Sequence, residues 1–176
     1  MNLSSIVRAL ARWLAIAGGL VLVAIAVMTV VSIAGRAFIW AGLSPVPGDF
    51  ELVEAGTGFA VFAFLPWCQL NRGHATVDLF TTYLSPAANR VIDLVSEIIF
   101  GLVTVLLAWR LWVGMLEKME YGETTFILQF PIWWGMALCA AATVIGVIVS
   151  VYMVIVRAME VAQGRALIGQ GTGAIH

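Results

Sequence analysis

Ionisable side chains inside apolar segments are the residues of this chain whose type could support chemistry. Glu54 and Arg110 each interrupt an apolar run, and a charge within a membrane is costly and usually functional. Glu54 would suit a proton or cation site. Because it lies about one turn into its segment, water or Arg36 near the outer membrane surface would also satisfy its carboxylate. Arg110 either extends its guanidinium group to the membrane surface or pairs with an acidic residue of a partner protein.

The remaining reactive residue types do not form a recognisable site. The only histidine besides His74 is the terminal His176, whereas a haem held in a helical bundle needs axial histidines on its spans. Cys68 and Cys139 lie in apolar segments without a second cysteine nearby. The sequence has no HExxH or P-loop motif, and no membrane-embedded Ser/His or carboxylate pair. We therefore expect neither enzymatic activity nor a bound metal or cofactor.

Composition indicates an integral membrane protein. Hydrophobic residues make up 62% of the 176 residues and charged residues 11%, against about 45–50% and about 25% in soluble domains. The formal net charge is −1. Since a nucleic-acid-binding surface needs a cluster of basic residues, which this chain lacks, we expect no nucleic-acid partner.

Charge-poor runs predict four transmembrane helices in one all-α membrane domain covering residues 1–176. A span needs about 20 apolar residues, because every backbone polar group must be satisfied within the segment. The predicted spans cover about 13–35, 50–71, 86–115 and 131–156. The first run is too long for the apolar region of a cleaved signal peptide.

Two connecting segments are predicted to lie along the membrane surface. Apolar residues recur at helical spacing in about 76–85, which favours a short amphipathic helix between the second and third spans. The uncharged stretch 124–130 is separated from the fourth span by Pro131. Trp133 and Trp134 then enter that span, as expected of residues in the aromatic belt of a membrane protein.

The distribution of basic residues predicts the orientation. They precede the first span, flank the connection between the second and third, and follow the fourth, whereas the other two connections are mainly acidic. The basic residues concerned are Arg8, Arg12, Arg72, Arg90, Arg157 and Arg165. Because basic loops stay in the cytoplasm, both termini are expected there.

A short polar motif carries a family resemblance. The run Arg72-Gly73-His74-Ala75-Thr76-Val77-Asp78 resembles the R-x-G-x-H-x-x-[VI]-D type of signature in the small membrane (permease) subunit of TRAP transporters, the tripartite ATP-independent periplasmic carriers. The order here is R-G-H-x-x-V-D. An acidic residue that opens the second span, here Glu54, and a Pro followed by Trp before the fourth, here Pro131, Trp133 and Trp134, also match. The resemblance extends over roughly residues 13–156.

The resemblance implies a division of labour among subunits. In that family a periplasmic binding protein captures the substrate, often an organic acid, and a large membrane subunit carries the sodium and substrate sites and moves as an elevator. The small subunit is a static scaffold that stabilises and anchors the large one. The implied partners are therefore the large subunit, a transiently bound binding protein and phospholipids, in the inner membrane of a bacterium.

The resemblance also suggests structural roles for particular residues. Arg72 and Asp78 would pair across the bend between the second span and the surface helix, where Gly73 ends the second span and His74 hydrogen-bonds a neighbouring backbone group. The candidates for a structural or partner-interface role are Glu54, Arg72, Gly73, His74, Asp78, Arg110, Pro131, Trp133 and Trp134.

Two other classes of function remain open at this point. A small homodimeric four-helix exporter or proton antiporter would use Glu54 as its coupling carboxylate, so its mutation would abolish transport without disrupting assembly. A membrane anchor of an enzyme complex would copurify with a soluble enzyme, and its deletion would leave sodium-dependent uptake intact.

Overall fold

Four long helices make up the part of the protein that the computed structural model describes, residues 3–71 and 86–163. All four are long and apolar enough to cross a membrane, and the described residues contain no strand. The predicted all-α protein with four spans is therefore confirmed. In chain order the helices are α1 (Leu3–Ala37), α2 (Asp49–Leu70), α3 (Pro86–Tyr121) and α4 (Ile132–Gln163).

Three of the helices extend beyond the spans expected from the sequence. α1 begins at Leu3, and α3 and α4 continue to Tyr121 and Gln163. The 35 residues of α1 have a length of about 52 Å at about 1.5 Å per residue, well over the ~30 Å of a hydrocarbon core. Charged residues mark where the hydrocarbon ends, but a helix continues past them because its backbone bonds are internal. The surface helix expected at 76–85 lies outside the described residues.

α4 is the central helix of the bundle. It packs against α2 and α3, and α1 packs against α2 and more sparsely against α4. Half of the most apolar window of α4 is buried, compared with 6% for α1 and for α3. α1 and α3 therefore form two separate flanks of the bundle, each with a long exposed apolar face.

The helices approach one another through small residues. Gly18 of α1 faces Ala60 and Ala63 of α2, both fully buried. Small side chains let helix backbones come close, which favours the van der Waals packing that helps to hold helices together in lipid. At the last residue of α2, Leu70 joins a core cluster with Val7, Ala11, Val149 and Met153. This cluster fixes the first turns of α1 against α4.

Candidate functional site

The connection between α3 and α4 folds back as a closed loop onto the start of α2. Thr124 and Pro131 pair across the base of this loop. The backbone N–H groups of Ile127 and Leu128, at its tip, donate to the two carboxylate oxygens of Glu51, over 2.6 Å and 3.0 Å. Glu51 is only 5% exposed. Its carboxylate therefore holds the loop in place through charge-assisted hydrogen bonds.

The connection between α1 and α2 is fixed at the same end of the bundle. Ser32 Oγ donates to Asp49 Oδ2 over 2.5 Å and accepts from the Val46 N–H over 3.3 Å. Asp49 also lies 3.9 Å from Arg36 Nη2. Gly48 has a left-handed backbone, at φ +71°, and because it has no Cβ atom the Leu128 side chain packs directly against it. Both connections at this end are thus tied to the first turn of α2.

At the opposite end of the bundle, a buried amide joins three helices. The Gln69 side chain of α2 is 2% exposed. Its carbonyl accepts from Ser150 Oγ of α4 over 2.9 Å, and its amide donates to Glu97 Oε1 of α3. Interhelical hydrogen bonds of this kind add a directional contact that apolar packing lacks. They fix the register of α2 and α3 on α4.

A buried guanidinium group lies near the end of α4. Arg157 Nη1 is 3.0 Å from Asp93 Oδ2 of α3 and 3.1 Å from Glu160 Oε2 of α4. The side chains of Arg157 and Glu160 are 8% and 3% exposed. Arg157 Nε is buried without a hydrogen-bond acceptor. The guanidinium group is therefore held mainly by these two carboxylates, because burial limits its contact with water.

Glu54 is the residue that the sequence analysis considered as a proton or cation site. Its side chain is exposed and makes no ion pair with any residue that the structure describes. It lines an open cavity of about 390 Å³ formed mainly by α2, α4 and the loop between α3 and α4. The lining includes Gly135 and Cys139 and is mainly apolar. Glu54 therefore borders a space with few polar partners.

Arg110 is exposed and likewise has no ion pair within the described ranges. It shares a face of α3 with Val103 and Leu106, which are 48% and 53% exposed. Gly101 and Thr104, which meet α4, lie on the opposite face. The structure therefore does not bring Arg110 together with Glu54 by an ion pair, and it leaves the guanidinium group on an apolar flank.

The remaining candidates divide into two groups. Pro131 immediately precedes α4, and its carbonyl accepts from the Trp134 N–H over 3.2 Å. The rings of Trp133 and Trp134 meet edge to face, with centroids 6.1 Å apart, and Trp134 is 54% exposed. The four motif residues Arg72, Gly73, His74 and Asp78 lie outside the described residues.

The role of Glu51 can be tested directly against that of Glu54. Replacing Glu51 with Ala removes the acceptors of two loop amides, so we expect Ile127 and Leu128 to exchange their amide hydrogens at least about tenfold faster. Hydrogen-exchange mass spectrometry of the purified chain measures this rate. Glu54→Ala, one turn along the same helix, should leave exchange in the loop unchanged. Equal protection in the two variants would show that the loop does not depend on Glu51.

The polar contacts described above join the helices and loops of the bundle to one another. The described residues hold no group of three or more His, Cys, Asp or Glu that could bind a metal. Sequence reasoning missed the polar contacts of Gln69, Ser150, Arg157 and Glu160. Polar residues within long apolar runs were the available signal, since such residues usually find a partner inside the bundle.

Comparison with known proteins agrees with this architecture. No curated protein and no solved structure matches the chain. The family model described as "Tripartite ATP-independent periplasmic transporters, DctQ component" matches residues 25–161, from the middle of α1 to the last turns of α4. The matched region is most of the chain and includes the polar contacts of Glu51, Gln69 and Arg157. The chain therefore belongs to the DctQ component family of the tripartite ATP-independent periplasmic transporters.

Proposed function

We propose that this chain is the static scaffold subunit of a sodium-coupled TRAP transporter. In this proposal it stabilises and anchors a large elevator-type subunit, which imports an organic acid that a periplasmic binding protein delivers. Membership of the DctQ family makes the chain a transporter component. The observation that carries the scaffold role is a bundle tied by polar contacts at both ends, with two long apolar flanks left exposed.

Rigidity is what an elevator requires of its stationary part, because a moving domain must slide against a surface that keeps its shape. Glu51 ties the loop between α3 and α4 to α2 at one end of the bundle. Gln69 and Arg157 tie α2 and α3 to α4 at the other end. These contacts resist both rotation and sliding of the helices, which supports a static role.

We assign the contact with the large subunit to the exposed flank of α3. That flank is apolar over most of its length, and Arg110 is its embedded charge. A cation in such a position is stabilised by an acidic residue or by helix-terminal carbonyl groups of a neighbouring subunit. Phospholipids would fill gaps in the seam. Glu54, Pro131, Trp133 and Trp134 would lie at the outer end of the scaffold.

The proposed location is the inner membrane of a bacterium, with both termini in the cytoplasm. The end of the bundle that holds Asp49, at the start of α2, and Glu123, in the connection between α3 and α4, would then face the periplasm, from which the binding protein approaches. Arg72, Gly73, His74 and Asp78 would organise the cytoplasmic corner that follows α2.

Purification and uptake together test the scaffold role. Affinity purification of the chain from its native membrane in mild detergent should retain a large polytopic protein, identified by mass spectrometry. In vesicles with that partner and its binding protein, uptake of an organic acid should require both a sodium gradient and this chain. Recovery of a stable homodimer without a large partner would overturn the proposal.

A Glu54 variant in the same vesicles distinguishes the scaffold role from that of a small antiporter. If the chain is a scaffold, Glu54→Gln should keep the uptake rate within about twofold of wild type, as expected for an exposed side chain. If Glu54 were a coupling carboxylate, the variant would assemble normally but lose transport. That second result would contradict the scaffold role even if a large partner were retained.

A further inference from the structure

A second open cavity lies between the first turns of α1 and the last turns of α2. Its volume is about 420 Å³, and its lining includes Arg8, Arg12, Trp13, Ile16 and Trp67. Arg8 and Arg12 are four residues apart, so their side chains leave the same side of α1 one above the other. The cavity therefore presents two guanidinium groups together with two indole rings.

The two arginines have no counter-charge in the described part of the chain. No acidic residue lines the cavity, and neither Arg8 nor Arg12 takes part in an ion pair within the described ranges. By contrast, Arg36 and Arg157 lie beside carboxylates. A pair of exposed cations with nothing opposite them is complementary to an anion.

The surroundings of the cavity indicate an anion that carries apolar chains. Trp13 and Trp67 belong to a residue type that favours the boundary between headgroups and hydrocarbon. From Ile16, exposed apolar side chains continue up α1 at Leu20 and Val23, which are 66% and 62% exposed. A molecule with its charge between the arginines would thus have an apolar track along which its tails could lie.

We infer that this cavity binds an anionic phospholipid, with the phosphate between Arg8 and Arg12 and the acyl chains along the exposed face of α1. Basic pockets beside transmembrane helices on the cytoplasmic side recognise such headgroups. In the proposed orientation the cavity faces the cytoplasmic leaflet. The site is on the opposite flank from α3, so it does not depend on the scaffold role or on lipids at the subunit seam.

Native mass spectrometry of the full chain in detergent tests the site. The probes are phosphatidylglycerol and phosphatidylcholine with identical acyl chains. The wild-type chain should bind phosphatidylglycerol more tightly. The double variant Arg8→Gln/Arg12→Gln should lose about thirtyfold of that affinity, and each single variant about fivefold, with phosphatidylcholine binding unchanged.

Matched variants distinguish specific binding at Arg8 and Arg12 from a general attraction of anionic lipid to arginine side chains. Arg36→Gln removes the same charge from the other end of α1 and should leave phosphatidylglycerol binding unchanged. Arg8→Lys/Arg12→Lys keeps both charges and should retain most of the affinity. Helix content, followed by circular dichroism, should be the same in all variants. Equal binding of the two lipids, or equal losses in the Arg36 and Arg8/Arg12 variants, would overturn the inference.

Two further outcomes would identify a different occupant and also overturn it. If millimolar inorganic phosphate displaced the lipid equally well whatever its acyl chains, the cavity would be a site for a free anion. A double variant that binds phosphatidylglycerol like wild type but no longer copurifies with the large subunit would assign the arginines to a protein contact.

Discussion

Replacing Arg157 with leucine is expected to destabilise the isolated chain by about 3–5 kcal/mol, the usual cost of removing one partner from a buried ion pair. Arg157 lies between Asp93 and Glu160, and the Glu160 side chain is only 3% exposed. Without the guanidinium group, the buried Glu160 carboxylate loses the ion pair that it forms over 3.1 Å. Unfolding with increasing SDS in mixed micelles, followed by circular dichroism, measures the difference in free energy.

Two further variants show whether the effect comes from the lost ion pair. Arg110→Leu removes an exposed arginine of α3 and should change the free energy of unfolding by no more than about 0.5 kcal/mol. Adding Glu160→Gln to Arg157→Leu should recover at least about 1 kcal/mol, because the neutral amide no longer needs the cation. Equal stability of the Arg157 and Arg110 variants would show that the ion pairs of Arg157 contribute nothing to the stability of the chain.

The position of Arg157 shows what sequence reasoning could and could not reach. The four spans are predictable because the length of an apolar run reflects the thickness of the bilayer. In the sequence Arg157 simply follows the fourth apolar run, so it served as a sign of orientation. Its partner Asp93 lies on a different helix, and Gln69 and Ser150 are likewise far apart in the chain. Apolar periodicity does not determine which helices are neighbours, so it cannot identify such pairs.

The end of the bundle at which α2 begins shows a similar limit. Glu51 and Glu54 are both acidic residues near the start of α2, and the sequence singled out Glu54 because it lies deeper in the apolar run. The structure gives the more extensive contacts to Glu51, since the loop tip at Ile127 folds back onto it. Only the path of that loop distinguishes the two carboxylates. The motif around His74 lies outside the described residues and stays a prediction.

The contact between α1 and α2 is expected to depend on one of two adjacent glycines. A Cβ atom at Gly18 would lie 2.9 Å from Ala63 Cβ and 3.5 Å from Ala60 Cα, whereas a Cβ atom at Gly19 would meet nothing within 4 Å. Gly18→Leu should therefore force the helices apart and destabilise the chain by about 1–3 kcal/mol. The same SDS titration measures this change.

Gly19→Leu is the matched control, because it adds the same side chain to the next residue of the same helix. Leucine favours a helix over glycine by somewhat under 1 kcal/mol in water, so this variant should be as stable as wild type or more stable. The difference between the two variants then isolates the packing of α1 on α2 from the helix preference of leucine. Equal stabilities would show that α1 is held by other contacts, such as Val7 and Ala11 at its first turns. Without a close fit at Gly18, α1 would lose its close approach to Ala60 and Ala63 of α2, and the bundle would be a less rigid frame for the proposed scaffold role.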